Sequence, residues 1–319
     1  MKKKFIIKKI ICNMLMCAMI LSSSSIINIK CRDVKAYSAE NRYEIWDGTI
    51  DTDWEGDGTK ESPYLISSAS ELAGIAANSE NNSKNNYYGK YFRQTCDIWL
   101  NDIENYYEWE QSKDTLNVWS AIPYFYGDYD GGNNTIYGMY CNSTEQNGLF
   151  GKSEGAVIKN ITVKNSLICS EKANYVGGIV AYAKIWASSY YPSSAPPSRA
   201  SSIIDNCNYY GKIRATGCDK VGGIVGTVVS STNVNEISIT NCNNYAEIIG
   251  GKLMGGIVGY ASQDFHDTVI SKCTNYGELI GEDYSSGSVG GIVGKQAGDD
   301  EGKITIEKCA NINDISGAM

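Results

Sequence analysis

Six acidic residues crowd one short stretch: Asp47, Asp51, Asp53, Glu55, Asp57 and Glu61. Carboxylates this dense can hold calcium, and Asp51-x-Asp53-x-Glu55-Gly56 begins as a calcium loop does. The EF-hand spacing then demands a bidentate Glu at position 62, which is Ser62, so a solvated turn is the simpler expectation. Asp128-x-Asp130-Gly131 reads as a turn for the same reason. Glu247 and Glu278 occupy matching positions in successive repeats. They are predicted to stack about 5 Å apart, which invites a paired-carboxylate glycosidase reading. A solvated acidic stripe is the plainer expectation. The single histidine, His266, lies between Asp264 and Asp267 with no nucleophile attached to it by pattern. No HExxH or phosphate-loop motif occurs. The sequence therefore assigns no catalytic residue, no metal and no cofactor.

Aromatic residues offer binding chemistry instead. The stretch 184–202 carries Trp186, Tyr190 and Tyr191 with three of the five prolines. Prolines lower the entropy lost in presenting a loop, and exposed aromatics suit sugar or protein surfaces. Trp186, Tyr190 and Tyr191 are the predicted contact residues.

The elements that would position these groups come from a repeat. VGGIV at 176–180 returns as VGGIVG at 221–226, MGGIVG at 254–259 and VGGIVG at 289–294. Each is followed by IDNC (204–207), ITNC (239–242), ISKC (270–273) or IEKC (306–309), and the last three by NNYAEI, TNYGELI and ANINDI. The apolar segments are short, rich in Ile and Val, and broken by glycine, which suits strands and not helices. One unit cannot bury its own apolar face, but stacked units can, each strand bonding to its copy one turn away. The expected fold is all-β: a right-handed parallel β-helix in which Ile224, Ile257 and Ile292 stack inside. Asn244, Asn275 and Asn311 should form an amide ladder. Cys207, Cys242, Cys273 and Cys309 recur at intervals of 35, 31 and 36 residues with no CxxC pair. That spacing argues against zinc, and buried free thiols are favoured over disulfides.

GGIVG recurring before I-x-x-C-x-N-x-G resembles the GLUG-type repeat of bacterial exported proteins, and Gly148-Leu149-Phe150-Gly151 matches its core directly. The blocks Trp46–Thr49, 56–76 and 125–139 are similar to what stands upstream of such repeats, so the resemblance spans nearly everything from Trp46 onward. It implies a right-handed, pectin-lyase-like β-helix and a secreted or surface location, with no set activity. Such repeats also accompany IgA-cleaving zinc peptidases, whose HExxH helix is missing here. The first full repeat departs from the pattern: Tyr209 replaces the ladder asparagine, and 25 residues separate Ile179 from Ile204 where the other repeats use 13 to 15.

Residues 1–39 read as a secretory signal peptide, with Lys2, Lys3, Lys4, Lys8 and Lys9 before an apolar run from Ile10 to Leu21. An uncleaved leader would be the one route to a membrane. Without those residues the chain keeps 20 basic and 35 acidic groups, a net charge of −15, which disfavours nucleic acid as a partner. Residues 40–85 are expected to form an N-terminal cap with one short helix near Ser70–Ala77, and 86–319 the β-helix. The next GGIVG would be due at Met319, which predicts an open strand edge there. The expected function is a secreted or cell-surface binding, adhesion or display module for glycans or surface proteins, and not an enzyme. The alternative is a carbohydrate-active β-helix enzyme.

Overall fold

Three parallel ladders, each built from one segment of the repeat, carry the chain. The computed structural model describes residues 43–79, 87–186, 201–231, 236–263, 267–282, 287–298 and 303–317, all within the unit Tyr43–Met319. Sheet 1 stacks the segment ending in the cysteine and its continuation. Sheet 2 stacks Phe150–Glu154, Val180–Trp186, Val225–Ser231, Val258–Gln263 and Val293–Gly298. Sheet 3 stacks Gln146–Asn147, Tyr175–Gly177, Lys220–Gly222, Leu253–Gly255 and Ser288–Gly290. Every strand pairing in the three sheets is parallel and links one coil to the next, so the fold is a parallel β-helix. Parallel connections are right-handed in nearly all proteins, the sense expected from the repeat.

The register is that of the sequence repeat. On sheet 1, Phe92, Tyr129, Ile158, Ile204, Ile239, Ile270 and Ile306 fall on one line, and all but Ile306 are at most 1% exposed. Ile224 donates its N–H to Ile257 and Ile257 to Ile292, at 3.1 and 3.0 Å. These residues share one axis, as the repeat predicts. The ladder begins one rung before Tyr91, inside residues 40–85 expected as the cap. Tyr64–Ile66 already pairs in parallel with Phe92–Gln94, while the expected boundary between cap and coils falls among residues 80–86, outside those described. The cap helix α1 runs Ala69–Asn78. Ser68 caps it by accepting from the Glu71 N–H, and the Glu71 carboxylate accepts from the N–H of Ser67, just before the cap, at 2.6 Å, a variant of the capping box. Leu72 and Ile75 are fully buried in the same core as Ile66 and Phe92.

The early coils contain no GGIVG because they are filled differently. Phe92, Phe125 and Phe150 meet at ring separations of 5.0 to 5.8 Å, with Trp54, Tyr64 and Tyr87 around them. Large rings occupy the interior that Ile, Val, Asn and Cys occupy later.

The asparagine ladder forms as expected. Asn244 donates to Asn275 and Asn275 to Asn311, both at 2.7 Å, and each amide also donates to the carbonyl two residues ahead. The ladder explains the paired glycines. A Cβ on Gly223 would sit 2.3 Å from the Asn244 side chain, and one on Gly256 2.5 Å from Asn275. At the first repeat the partner one rung below is Val163, which offers no amide. Tyr209 fills that rung instead, and its hydroxyl meets Ser166 Oγ at 2.7 Å.

The four repeat cysteines are free thiols. Each donates to the carbonyl of the ladder isoleucine one coil earlier: Cys207 to Ile158, Cys242 to Ile204, Cys273 to Ile239 and Cys309 to Ile270, at 3.5 to 3.7 Å. Just before each stands a residue in the left-handed region that turns the corner: Asn206, Asn241, Lys272 and Lys308, with φ from 49° to 55°. Asparagine suits that region.

Burial of these thiols, and of Cys141 in an earlier coil, has a pH consequence. It pushes the Cys141 thiol from 9.0 up to about 12 and raises Cys242 well above its ordinary value. Cys273 is raised by its bond to Cys242 and by burial. A thiol whose folded value is raised contributes stability that is complete below the unfolded value and lost as pH climbs toward the folded one. Buried Lys184, lowered to about 8 by desolvation, acts oppositely, but it is one group against several. The midpoint of urea unfolding is therefore expected to fall steadily between about pH 9 and pH 12. A midpoint that holds or rises over that range would contradict this burial pattern.

Candidate functional site

The predicted contact residues come from the connection between sheets 2 and 1. Trp186 ends the sheet 2 strand Val180–Trp186, its backbone paired with Ser231, and Ser201 opens the next sheet 1 strand. Tyr190 and Tyr191 lie outside the described residues, as does His266.

A different aromatic array stands on the outer face of sheet 1. Strand alternation turns Tyr209, Asn244 and Asn275 inward, so the next residue of each coil, Tyr210, Tyr245 and Tyr276, points outward. Tyr210 and Tyr245 stack with ring centroids 4.1 Å apart and planes 3° apart, and Tyr245 and Tyr276 at 4.6 Å and 4°. The row continues toward the N-terminal end. Lys164 holds its ammonium 4.9 Å from the Tyr210 centroid and pairs in register with Tyr137. Tyr137 stacks on Trp99 at 5.0 Å, and Trp99 on Tyr43 at 4.8 Å. In the other direction Ile312 takes the next position and is 64% exposed. Tyr245 and Tyr276 remain 37% and 40% exposed although Tyr245 is covered on both faces and Tyr276 on one, so the row offers mainly ring edges and hydroxyls. Burial, and the Tyr210 hydroxyl beside it, push the Tyr245 phenol up to about 12.

A second outer row runs beside the first, two residues back along each strand: Thr135, Thr162, Asn208, Asn243 and Thr274. Asn243 donates to Asn208 at 2.8 Å. The two rows form a strip of hydroxyls, amides and aromatic edges in which Lys164 is the one cation, with Asp97 two residues before Trp99 at its N-terminal end, where it accepts from the Thr135 N–H.

Sequence reasoning missed this strip, although part of its signal was present. Tyr210, Tyr245 and Tyr276 each stand three residues after the repeat cysteine. Trp99, Tyr137 and Tyr43 carry no such signal, because their coils do not follow the repeat.

A cluster of charged groups elsewhere on sheet 1 is paired. Residues 101–117 leave the coil, form short 3-10 turns at Tyr106–Glu108 and Lys113–Thr115, and pack Trp109 against Tyr140 and Leu167 on the outer surface. This brings Glu110 onto Lys212 at 2.7 Å and Arg214 at 3.0 Å. Arg214 also holds Glu247 at 2.5 Å. Although burial opposes it, bonding to Arg214 and Lys212 keeps the Glu110 carboxyl below its usual range. Glu247 and Glu278 do occupy adjacent rungs. The expected acidic stripe is nonetheless interrupted, since the rung before Glu247 is Lys212 and Glu247 is neutralised by Arg214.

The acidic stretch near Asp51 folds as a series of turns. Asp47 accepts from the Thr49 hydroxyl and N–H at 2.6 and 3.0 Å, which holds its carboxyl below the ordinary value. Asp51 accepts from the Asp53 N–H and Asp57 from the Thr59 N–H. These three carboxylates thus each serve their own loop. Among the described residues no group of three or more His, Cys, Asp or Glu is placed to hold a metal ion, and no helix is long and apolar enough to cross a membrane.

No family model matches this chain. No curated protein matches it either. Among solved structures it is similar to one from Bacteroides ovatus described, provisionally, as an immunoglobulin A1 protease. The two share 21% sequence identity, with 82% of this chain and 79% of that one covered and a TM-score of 0.49. The likeness is one of chain path, and it says nothing of activity.

Proposed function

We propose that this chain is a secreted or surface-displayed binding module of the GLUG-repeat kind, a rigid β-helix that presents its outer surface to glycans or proteins and performs no chemistry on them. The observation that carries this reading is the outer strip of sheet 1, where ordered tyrosines stand beside a row of amides and hydroxyls. Tyrosine gives large contact area with few rotatable bonds, so little entropy is lost when it is engaged. The charged side chains of the same sheet support the reading from the other side. Glu110, Lys212, Arg214 and Glu247 neutralise one another, which suits a clamp for the 101–117 excursion better than a general acid and base held at different protonation. A peptidase reading lacks a zinc-binding motif in a sequence with one histidine.

Binding to a glycan array, paired with an assay for released reducing sugar, tests the proposal using the full chain, Tyr245→Ala and Trp186→Ala. Retention on the array without product is the expected result for the wild type, with signal reduced in Tyr245→Ala. Product release with multiple turnover would overturn the binding-module reading in favour of a carbohydrate-active enzyme.

A further inference from the structure

We propose that the outer strip of sheet 1 binds a linear, uncharged polysaccharide lying parallel to the stacking axis, with one sugar unit addressed per coil or nearly so. This rests on the binding-module reading and specifies its ligand. The chemistry of the strip is the first argument. Tyr210, Tyr245 and Tyr276 offer apolar ring edges and hydroxyls, and Asn208, Asn243 and Thr274 offer amides and a hydroxyl, about 6.6 Å away along each strand. Sugars present the complementary set: apolar C–H patches alternating with hydroxyls that both donate and accept.

Repetition is the second argument. The same pair of side-chain types returns at Asn208/Tyr210 and Asn243/Tyr245, and in near-identical form at Thr274/Tyr276. A surface that repeats along one line at the strand spacing of about 4.8 Å suits a ligand that also repeats along one line. A peptide would be recognised through strand addition at an open edge, whereas the backbone of these strands is already engaged by the coils on either side. The ring planes lie within 4° of one another, so the strip is ordered before any ligand arrives.

Charge is the third argument. The sequence carries 36 acidic and 28 basic groups, and the one cation in the strip, Lys164, already lies over the Tyr210 ring. A polyanion finds no basic row here, so an uncharged chain is the better complement.

Titration calorimetry with neutral linear gluco- and manno-oligosaccharides of increasing length, from the disaccharide upward, tests the proposal, with polygalacturonate as the anionic comparison. Affinity is expected to rise with each added unit until the tyrosine coils are spanned, and to change little with added salt. Tyr245→Ala and Asn243→Ala should each weaken binding about tenfold. Tyr245→Phe, which keeps the stack and removes one hydroxyl, should weaken it by a smaller factor. Thermal unfolding of each variant shows that the coils persist. Three outcomes would overturn the proposal: neutral oligosaccharides that do not bind, affinity independent of length, or variants that lose thermal stability but bind unchanged, which would make the strip a structural stack only. If the array has meanwhile shown retention on other glycans, the binding-module reading survives while this assignment fails.

Discussion

Gly222→Ala is expected to abolish cooperative folding of the regular coils. A Cβ at this position would lie 1.9 Å from the Val225 carbonyl oxygen and 2.8 Å from the Gly259 nitrogen of the next coil. Both are backbone atoms held in place, the first within the tight GGIV turn and the second in the adjacent rung, so no side chain can swing aside. The loss should exceed about 4 kcal/mol, a range reserved for backbone clashes and buried defects. Gly48→Ala is the comparison. Its φ of +87° is unfavourable for alanine, but nothing lies within 4 Å of the added methyl, so the cost should stay near 1–2 kcal/mol. Circular dichroism during urea unfolding separates the two. A Gly222→Ala protein that unfolds in one transition close to the wild-type midpoint would mean that the turn is looser than its geometry shows.

Asn275→Asp should be nearly as damaging, and its damage should depend on pH. Asn275 is fully buried. Its oxygen accepts from Asn244, while its nitrogen donates to Asn311 Oδ1 and to the Gly277 carbonyl. A carboxylate there keeps one donor and turns its second oxygen on two acceptors. Uncompensated buried charge of this kind costs about 3–5 kcal/mol. The new carboxyl should therefore hold its proton to a higher pH in the folded state than the value near 3.9 it has when unfolded. Protons are then bound more tightly by the folded chain. The variant's deficit relative to wild type is smallest below about pH 4 and grows as pH rises through the folded value. Paired urea titrations of wild type and variant from acid to neutral pH measure this difference. A deficit that stays constant with pH would show that lost amide geometry, and not buried charge, is responsible.

The two substitutions probe one mechanical unit. The second glycine of each GG pair makes room for the ladder asparagine of its own coil, as Gly223 does for Asn244 and Gly256 for Asn275. Segments some 20 residues apart in sequence are therefore selected together. Tyr209 shows the same coupling from the other direction. Its ring packs on Gly178, and with no amide on the rung below, it reaches Ser166 instead.

How much of this was legible beforehand follows the repeat closely. Ile224, Ile257, Ile292, the asparagines and the cysteines could be aligned from spacing alone, because in-register stacking converts equal sequence position into spatial contact. The short helix near Ser70–Ala77 was readable as well, since local capping chemistry decides it, although its cap, Ser68, was settled by the structure. Legibility ended where the repeat ended. Nothing in the order of residues says that Glu110 meets Lys212 and Arg214 about a hundred positions away, or that Trp99 stacks between Tyr43 and Tyr137. The solvated acidic stripe expected around Glu247 was recast for that reason, as Arg214 was needed to see the charge neutralised.

By itself the order of residues determined that the chain coils and which side chains line the interior, since these depend on contacts between equivalent positions one turn apart. Only the tertiary structure decided what the outside offers. There, neighbours come from irregular early coils and from an excursion that folds back, and no sequence period relates them. The candidate recognition strip lies across that divide, with three tyrosines set by the repeat and the rest of its aromatic row supplied by coils that do not share it.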